Sequence, residues 1–132
     1  MLSDMRLLGI DYGSKKVGLS LTDESGTMAF PHEVVKNDID LLKKLVSLCE
    51  EKGVEEIVIG HSINISGEDN KLQTAINELV TDLTLELGLP IHLEPEQYTS
   101  KAAERIQGRN EKLDASAAAI ILDGYLQKNK NT

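Results

Sequence analysis

Between residues 7 and 35 the hydrophobic positions follow a period of two. Leu7 to Asp11 is a short apolar run that ends in a glycine-containing turn. From Val17 to Thr22, Val17, Leu19 and Leu21 fall on one face while Gly18, Ser20 and Thr22 fall on the other, which is the alternation of a β-strand. The two runs predict a hairpin around Tyr12 to Lys16. After the "DESGT" turn, Met28 to Val35 predicts a third strand, in which Pro31 disfavours a central hydrogen-bonded position. The period then lengthens. Ile39, Leu41, Leu42, Leu45, Val46, Leu48 and Cys49 recur at helical spacing and predict a helix from Asp38 to Lys52, ended by Gly53. "EEIVIG" predicts a short buried strand. Ser66 and Asp69 have the spacing of a capping box ahead of a long amphipathic helix, whose Leu72, Ala75, Ile76, Leu79, Val80 and Leu83 line one face as far as Gly88. "LPIHLE" predicts a last strand, Thr99 to Gln107 a short helix, "GRNEK" a loop, and Asp114 to Gln127 a final helix. "QKNKNT" reads as a tail, flexible from about residue 128 to residue 132.

The predicted order is βββαβαβαα. Two later strands, each reached through a helix, imply right-handed crossovers and parallel pairing beside the antiparallel hairpin. The expected class is α/β: a mixed five-stranded sheet with helices on both faces, in the order of elements of the ribonuclease H-like fold. The chain has 132 residues, 40% of them hydrophobic, which suits a single domain spanning residues 1–132.

Composition narrows the function classes. There is no Trp, one Phe and three Tyr, so bases have no aromatic platform on which to stack. No apolar run approaches the length of a membrane span, and Met1 to Arg6 lacks the basic-then-apolar order of a signal peptide; a cytoplasmic protein with no membrane partner is expected. The single cysteine, Cys49, reads as a small buried apolar side chain. The formal charge is -8, with no global basic excess for a phosphate backbone. Acidic Glu50, Glu51, Glu55 and Glu56 read as a solvated face, while positive charge gathers locally at Lys15 and Lys16 and at Lys101, Arg105, Arg109 and Lys112. A polyanion would have to meet those patches.

Ligand sites in open α/β sheets form outside the carboxyl ends of the strands. Asp11 ends the first predicted strand, Glu94 and Glu96 stand at or just beyond the end of the last, and Asp114 opens the final helix. Carboxylates brought together there repel one another unless a cation lies between them, and oxygen donors select a hard ion, Mg²⁺ or Mn²⁺. Each acid also has a plain reading. Asp114 suits a helix N-cap and Glu96 a solvent-facing loop. Glu94, Asp23 and Asp4 read as surface charges. Asp11 is harder to dismiss, because a carboxylate between an apolar strand and a glycine turn is costly without a partner. Gly13 would permit a positive φ there, Gly18 close approach of a backbone or ligand, and Lys15 and Lys16 put positive charge beside the acid. Ser62 and Asn64, in "GHSIN", are candidate phosphate donors or simple turn formers. His32, His61 and His92 have no metal-ligand spacing.

Three stretches together resemble a known family. "GIDYGSKKVGLSLTD" is similar to the opening motif of the YqgF-type pre-16S ribosomal RNA nucleases, also described as Holliday-junction-resolvase-like and belonging to the ribonuclease H-like superfamily. "VIGHSINISGE" stands where that family has a Gly-Leu-Pro-Leu-Asn loop, and "LDASAAAIILDGYL" is similar to its closing Asp-Ala helix. The resemblance implies that Asp11, Glu96 and Asp114 are the catalytic, metal-binding carboxylates. In the middle motif, "PEQ" replaces the family's Asp-Glu-Arg: Glu96 is kept, Pro95 replaces an acid and Gln97 replaces an arginine. Gln97 can donate only neutral hydrogen bonds to phosphate; Lys101, Arg105 or Arg109 could replace the lost charge.

The resemblance therefore implies a Mg²⁺- or Mn²⁺-dependent nuclease of structured nucleic acid, with Gly13, Lys15, Lys16, Ser62, Asn64, Gln97, Lys101 and Arg105 binding the substrate. Its expected role is 5′-end processing of pre-16S rRNA in association with ribosomal precursors, ahead of branched DNA as substrate, by a monomer or weak homodimer. The alternatives are a Holliday-junction DNA resolvase and a weakened or inactive RNA-binding, ribosome-assembly protein of the same fold, the latter suggested by the acidic charge, Pro95 and Gln97.

Overall fold

The computed structural model describes residues 6–13, 15–23, 25–62, 68–96 and 113–130. Three strands open the chain: β1 (Arg6–Tyr12), β2 (Lys16–Thr22) and β3 (Ala29–Lys36). They are followed by α1 (Leu41–Lys52), β4 (Val54–Ser62), α2 (Glu68–Leu87), β5 (Ile91–Glu96) and α3 (Leu113–Lys130). The five strands form one sheet in the order β3-β2-β1-β4-β5. β1 is antiparallel to β2, and β2 to β3, whereas β4 runs parallel to both β1 and β5. The expected mixed five-stranded sheet is present. The short helix expected at Thr99 to Gln107 and the capping-box serine, Ser66, lie outside the described residues.

Strand alternation divides the core into two layers. Leu8 and Ile10 of β1, Val17, Leu19 and Leu21 of β2, and Ile57 and Ile59 of β4 pack with Leu41, Leu45 and Leu48 of α1 and Ile76, Leu79 and Leu83 of α2. On the opposite face Leu7 and Val58 pack with Ile121 and Leu122 of α3. Helices thus cover both faces, and each fully buried aliphatic side chain contributes about 1.5–3 kcal/mol over exposure.

The α3 layer is fixed closely. A Cβ on Gly9 would collide with Ser20 Oγ and lie 3.0 Å from both the Ala118 carbonyl oxygen and Leu122 Cβ. Ser20 is fully buried and its hydroxyl donates to the Ala118 carbonyl at 2.8 Å. Two small residues on adjacent strands, Gly9 and Ser20, therefore let the helix backbone settle on the sheet.

Four expectations need correction. Ile39 is 91% exposed, because the helix begins at Leu41 and residues 38–40 form a turn in which the Asp40 N–H donates to Asp38 Oδ1. Gly13 is absent from the positive-φ glycines; what excludes a side chain there is the Lys16 carbonyl oxygen, 2.5 Å from where a Cβ would stand. Glu94, read as a surface charge, is only 9% exposed. α3 runs as far as Lys130, past the helix end expected at Gln127. Elsewhere the punctuation holds. Gly53 caps α1 with φ 67°, its N–H donating to the Cys49 carbonyl, and Pro31 sits on an edge strand at a register shift, between the Leu19–Glu33 and Ser20–Pro31 pairs.

Candidate active site

Asp11 is the penultimate residue of β1, half-buried on the face that α3 covers. Its partner on β2 is Gly18 and its partner on β4 is Gly60. Residues paired across a sheet share a face, so Asp11 is flanked on both sides by positions that carry no side chain. Gly60 is in turn paired with Glu94 of β5. One row across the sheet therefore reads Gly18, Asp11, Gly60, Glu94, and two strand spacings of about 4.8 Å separate the backbones of the two acids. Two residues further along, the backbone register pairs Ser62 with Glu96, at the carboxyl ends of β4 and β5.

α3 closes this face from above. A Cβ on Gly124 would lie 3.8 Å from Glu94 Oε2, ordinary contact distance, which places the carboxylate against α3. Beside it the His92 ring stacks on Tyr125, with centroids 5.0 Å apart and an interplanar angle of 28°. His92 Nε2 lies 3.5 Å from Glu56 Oε1 without making a hydrogen bond among the described residues. Asp114, the second residue of α3, precedes Ala118 by about one helical turn, and Ala118 is the residue seated against Ser20.

The turn beside Asp11 is held by a residue that sequence reasoning did not single out. The Asn37 side-chain amide donates to the Gly13 carbonyl at 2.8 Å, and the Asn37 N–H donates to the Lys15 carbonyl at 2.9 Å. Lys15 and Lys16 are exposed at the mouth formed by that turn. At the far end of the hairpin, Asp23 is a turn organiser: its carboxylate accepts the Thr27 N–H at 2.8 Å and the Thr27 hydroxyl at 3.0 Å. Those bonds, the Thr27 N–H first, hold its carboxyl below the ordinary 3.8. Burial pushes the Cys49 thiol up to about 11, with the neighbouring Glu50 charge adding to the effect.

Of the three expected ligands, Asp11, Glu96 and Asp114, only Asp11 has a described side chain. β-sheet register brings Asp11 and Glu96 to adjacent rows at the carboxyl edge. No group of three His, Cys, Asp or Glu side chains able to hold an ion occurs among the described residues. Gly13 and Lys15 lie in the β1–β2 connection, Lys16 opens β2 and Ser62 ends β4, whereas Asn64, Gln97, Lys101 and Arg105 lie outside the described residues. Sequence reasoning missed the burial of Glu94. No local pattern signals it, because it follows from the pairing of β5 with β4.

Comparison with known proteins bears on this arrangement. The RuvX family, described as Holliday junction resolvase, matches residues 5–128. A protein of Maridesulfovibrio salexigens named "Putative pre-16S rRNA nuclease" is 33% identical over 134 residues, covering 94% of this chain and 99% of the relative. One of Dictyoglomus turgidum with the same name is 34% identical, covering 92% and 94%. Among solved structures, T. thermophilus RuvC in complex with Holliday junction substrate superposes with a TM-score of 0.67 at 17% identity, over 97% of each chain. The Fowlpox virus resolvase in complex with Holliday junction DNA gives 0.62 at 10% identity, over 95% of this chain and 99% of that one. The two solved structures establish the likeness of fold, and the fold is the ribonuclease H-like one expected.

Proposed function

The chain belongs to the RuvX family of Holliday junction resolvases and is a nuclease, and we propose that it processes the 5′ end of pre-16S rRNA through a metal site held by Asp11, Glu96 and Asp114. The observation that carries this reading is the register that sets Asp11 and Glu94 in one row and Glu96 in the next, at the carboxyl edge of three parallel strands. The RNA assignment follows the names of the relatives from M. salexigens and D. turgidum.

The donor chemistry fits Mg²⁺ or Mn²⁺. The described acids of this row, Asp11 and Glu94, offer hard oxygen donors, and His92, the histidine on the same strand, is stacked on Tyr125. When bound, such an ion supplies charge to activate a water and to stabilise the leaving oxygen of a phosphodiester. The chain's own groups do the rest. Gly18 and Gly60 put no side chain on either side of Asp11 in its row. Lys15 and Lys16 offer charge to its non-bridging oxygens, and Gly13, tied to Asn37, fixes the turn that presents them. Ser62, Asn64 and Gln97 add neutral donors, and Lys101 and Arg105 replace the charge of the arginine that Gln97 displaces. Glu94, in the same row as Asp11, adds a further oxygen donor.

The test is cleavage of a 5′-extended 16S precursor by the wild type, Asp11→Asn and Asp114→Asn in Mn²⁺. Loss of cleavage in both variants supports the reading, and equal cleavage by all three defeats it. A second reading, a binding protein without catalysis, is favoured by Pro95 and Gln97 in the middle motif; it predicts no saturable Mn²⁺ binding in calorimetry. A third, resolution of branched DNA, predicts that a four-way junction is cleaved in preference to the precursor RNA.

A further inference from the structure

Two lysines face each other beside the site. Lys16 of β2 is the register partner of Lys36 of β3, and both are exposed. Lys16 is two residues from Gly18, the β2 partner of Asp11, so both lysines share the face of the sheet that carries Asp11. The row they form lies about 7 Å along the strands from that of Asp11. Lys15, also exposed, adjoins them in the turn.

Like charges directly opposite each other on neighbouring strands destabilise a sheet. Nothing among the described residues neutralises this pair. The nearest acid in sequence, Asp38, turns its Oδ1 to the Asp40 N–H instead. In a chain with formal charge -8, an uncompensated cationic pair beside a carboxylate row calls for an anion from outside. A polyanion with regularly spaced charges suits it best, because two adjacent lysines and a third in the turn can take successive groups of one backbone.

We infer that Lys36, with Lys16 and Lys15, forms a ridge along the β2–β3 edge that grips the phosphodiester backbone of nucleic acid and leads it to Asp11. The inference rests on the nuclease reading for the identity of the polyanion. Lys36 is the new member: it lies on an edge strand remote in sequence from the turn lysines, and only the β2–β3 register brings it to them. Binding on this ridge is electrostatic and sequence-independent, so it releases counterions and weakens as salt rises.

The experiment is anisotropy of a labelled 16S-precursor stem-loop and a labelled four-way DNA junction, titrated at several salt concentrations in EDTA, where no cleavage competes. Wild type, Lys36→Gln, Lys16→Gln and Lys43→Gln are compared. Lys43 lies on α1 in a pocket with Glu33 and Glu51 and matches the charge change away from the ridge. The expected result for Lys36→Gln and Lys16→Gln is weaker binding and a slope of log K against log salt shallower by about 1, with an unchanged or higher melting temperature. Lys43→Gln should behave as wild type. RNA and DNA arms that respond alike support the ridge; a response in one arm alone supports it and identifies the nucleic acid. An unchanged slope for Lys36→Gln, an equal change for Lys43→Gln, or failure of the wild type to bind either probe overturns it. Lysines on edge strands can also block self-pairing; that role alone would make Lys36→Gln self-associate in sedimentation with its salt slope unchanged, which equally overturns the ridge. Cleavage in Mn²⁺ is scored separately, so that a cleaving protein without the ridge effect loses only this inference, and a ridge without cleavage loses only the nuclease reading.

Discussion

Asp11 and Glu94 stand in one register row of the sheet, with only Gly60 between them. Two acids about two strand spacings apart across a glycine offer oxygen donors from one row, and burial of Glu94 makes its charge sensitive to what pairs with it.

Glu94→Gln keeps the size of the side chain and removes its charge. The variant should fold as the wild type and bind Mn²⁺ about tenfold more weakly, a change of about 1.4 kcal/mol. Calorimetric titration of both proteins checks this; identical affinities would confine Glu94 to a packing role.

Docking of α3 depends on small residues. Ser20→Ala removes the hydroxyl donor to the buried Ala118 carbonyl and should cost about 1–3 kcal/mol in urea unfolding. Gly9→Ala places a methyl against Ser20 Oγ and the Ala118 carbonyl and should also cost about 1–3 kcal/mol through overpacking.

The relation between these residues and the sequence is uneven. Asp11 is legible because the apolar strand, the acid and the glycine turn are contiguous in the chain. The two core layers are legible for a similar reason: parity along β2 and helical spacing in α1 and α2 are local patterns. Glu94 is not legible, since its burial depends on where β5 pairs with β4 and on contact with a helix much later in the chain. Ile39 misleads because its spacing continues the apolar stripe of α1 although the backbone is still turning at Asp38–Asp40. At Gly13 the residue type is informative but the reason differs, a close carbonyl in place of a positive φ. The partnership of Lys16 with Lys36 requires the β2–β3 register, including its shift at Leu19 and Ser20.

The Asp23 turn should be acid-sensitive. Hydrogen bonds led by the Thr27 N–H lower its folded-state pKa below 3.8, so it stabilises the hairpin above that value, and the contribution is lost as pH falls through the folded-state value. Wild type should melt above Asp23→Asn at neutral pH, and the gap should close well below pH 3.8. A gap that persists in acid would contradict the assignment.

Cys49 should be inert in the native protein. It is buried in the α1 layer, and its thiol is held up to about 11, so the reactive thiolate is scarce at neutral pH. A thiol reagent should label it slowly in buffer and fast in urea; fast native labelling would contradict the packing of α1.

The central claim is that Asp11, Glu96 and Asp114 share a divalent ion. The most direct measurement is a crystal structure in Mn²⁺ with anomalous diffraction at the manganese edge. The expected result is an anomalous peak with oxygens of all three carboxylates within about 2.0–2.6 Å of bound manganese. Carboxylates separated by more than about 10 Å, with no manganese between them, would contradict it, since ligand oxygens so far apart cannot reach a common ion.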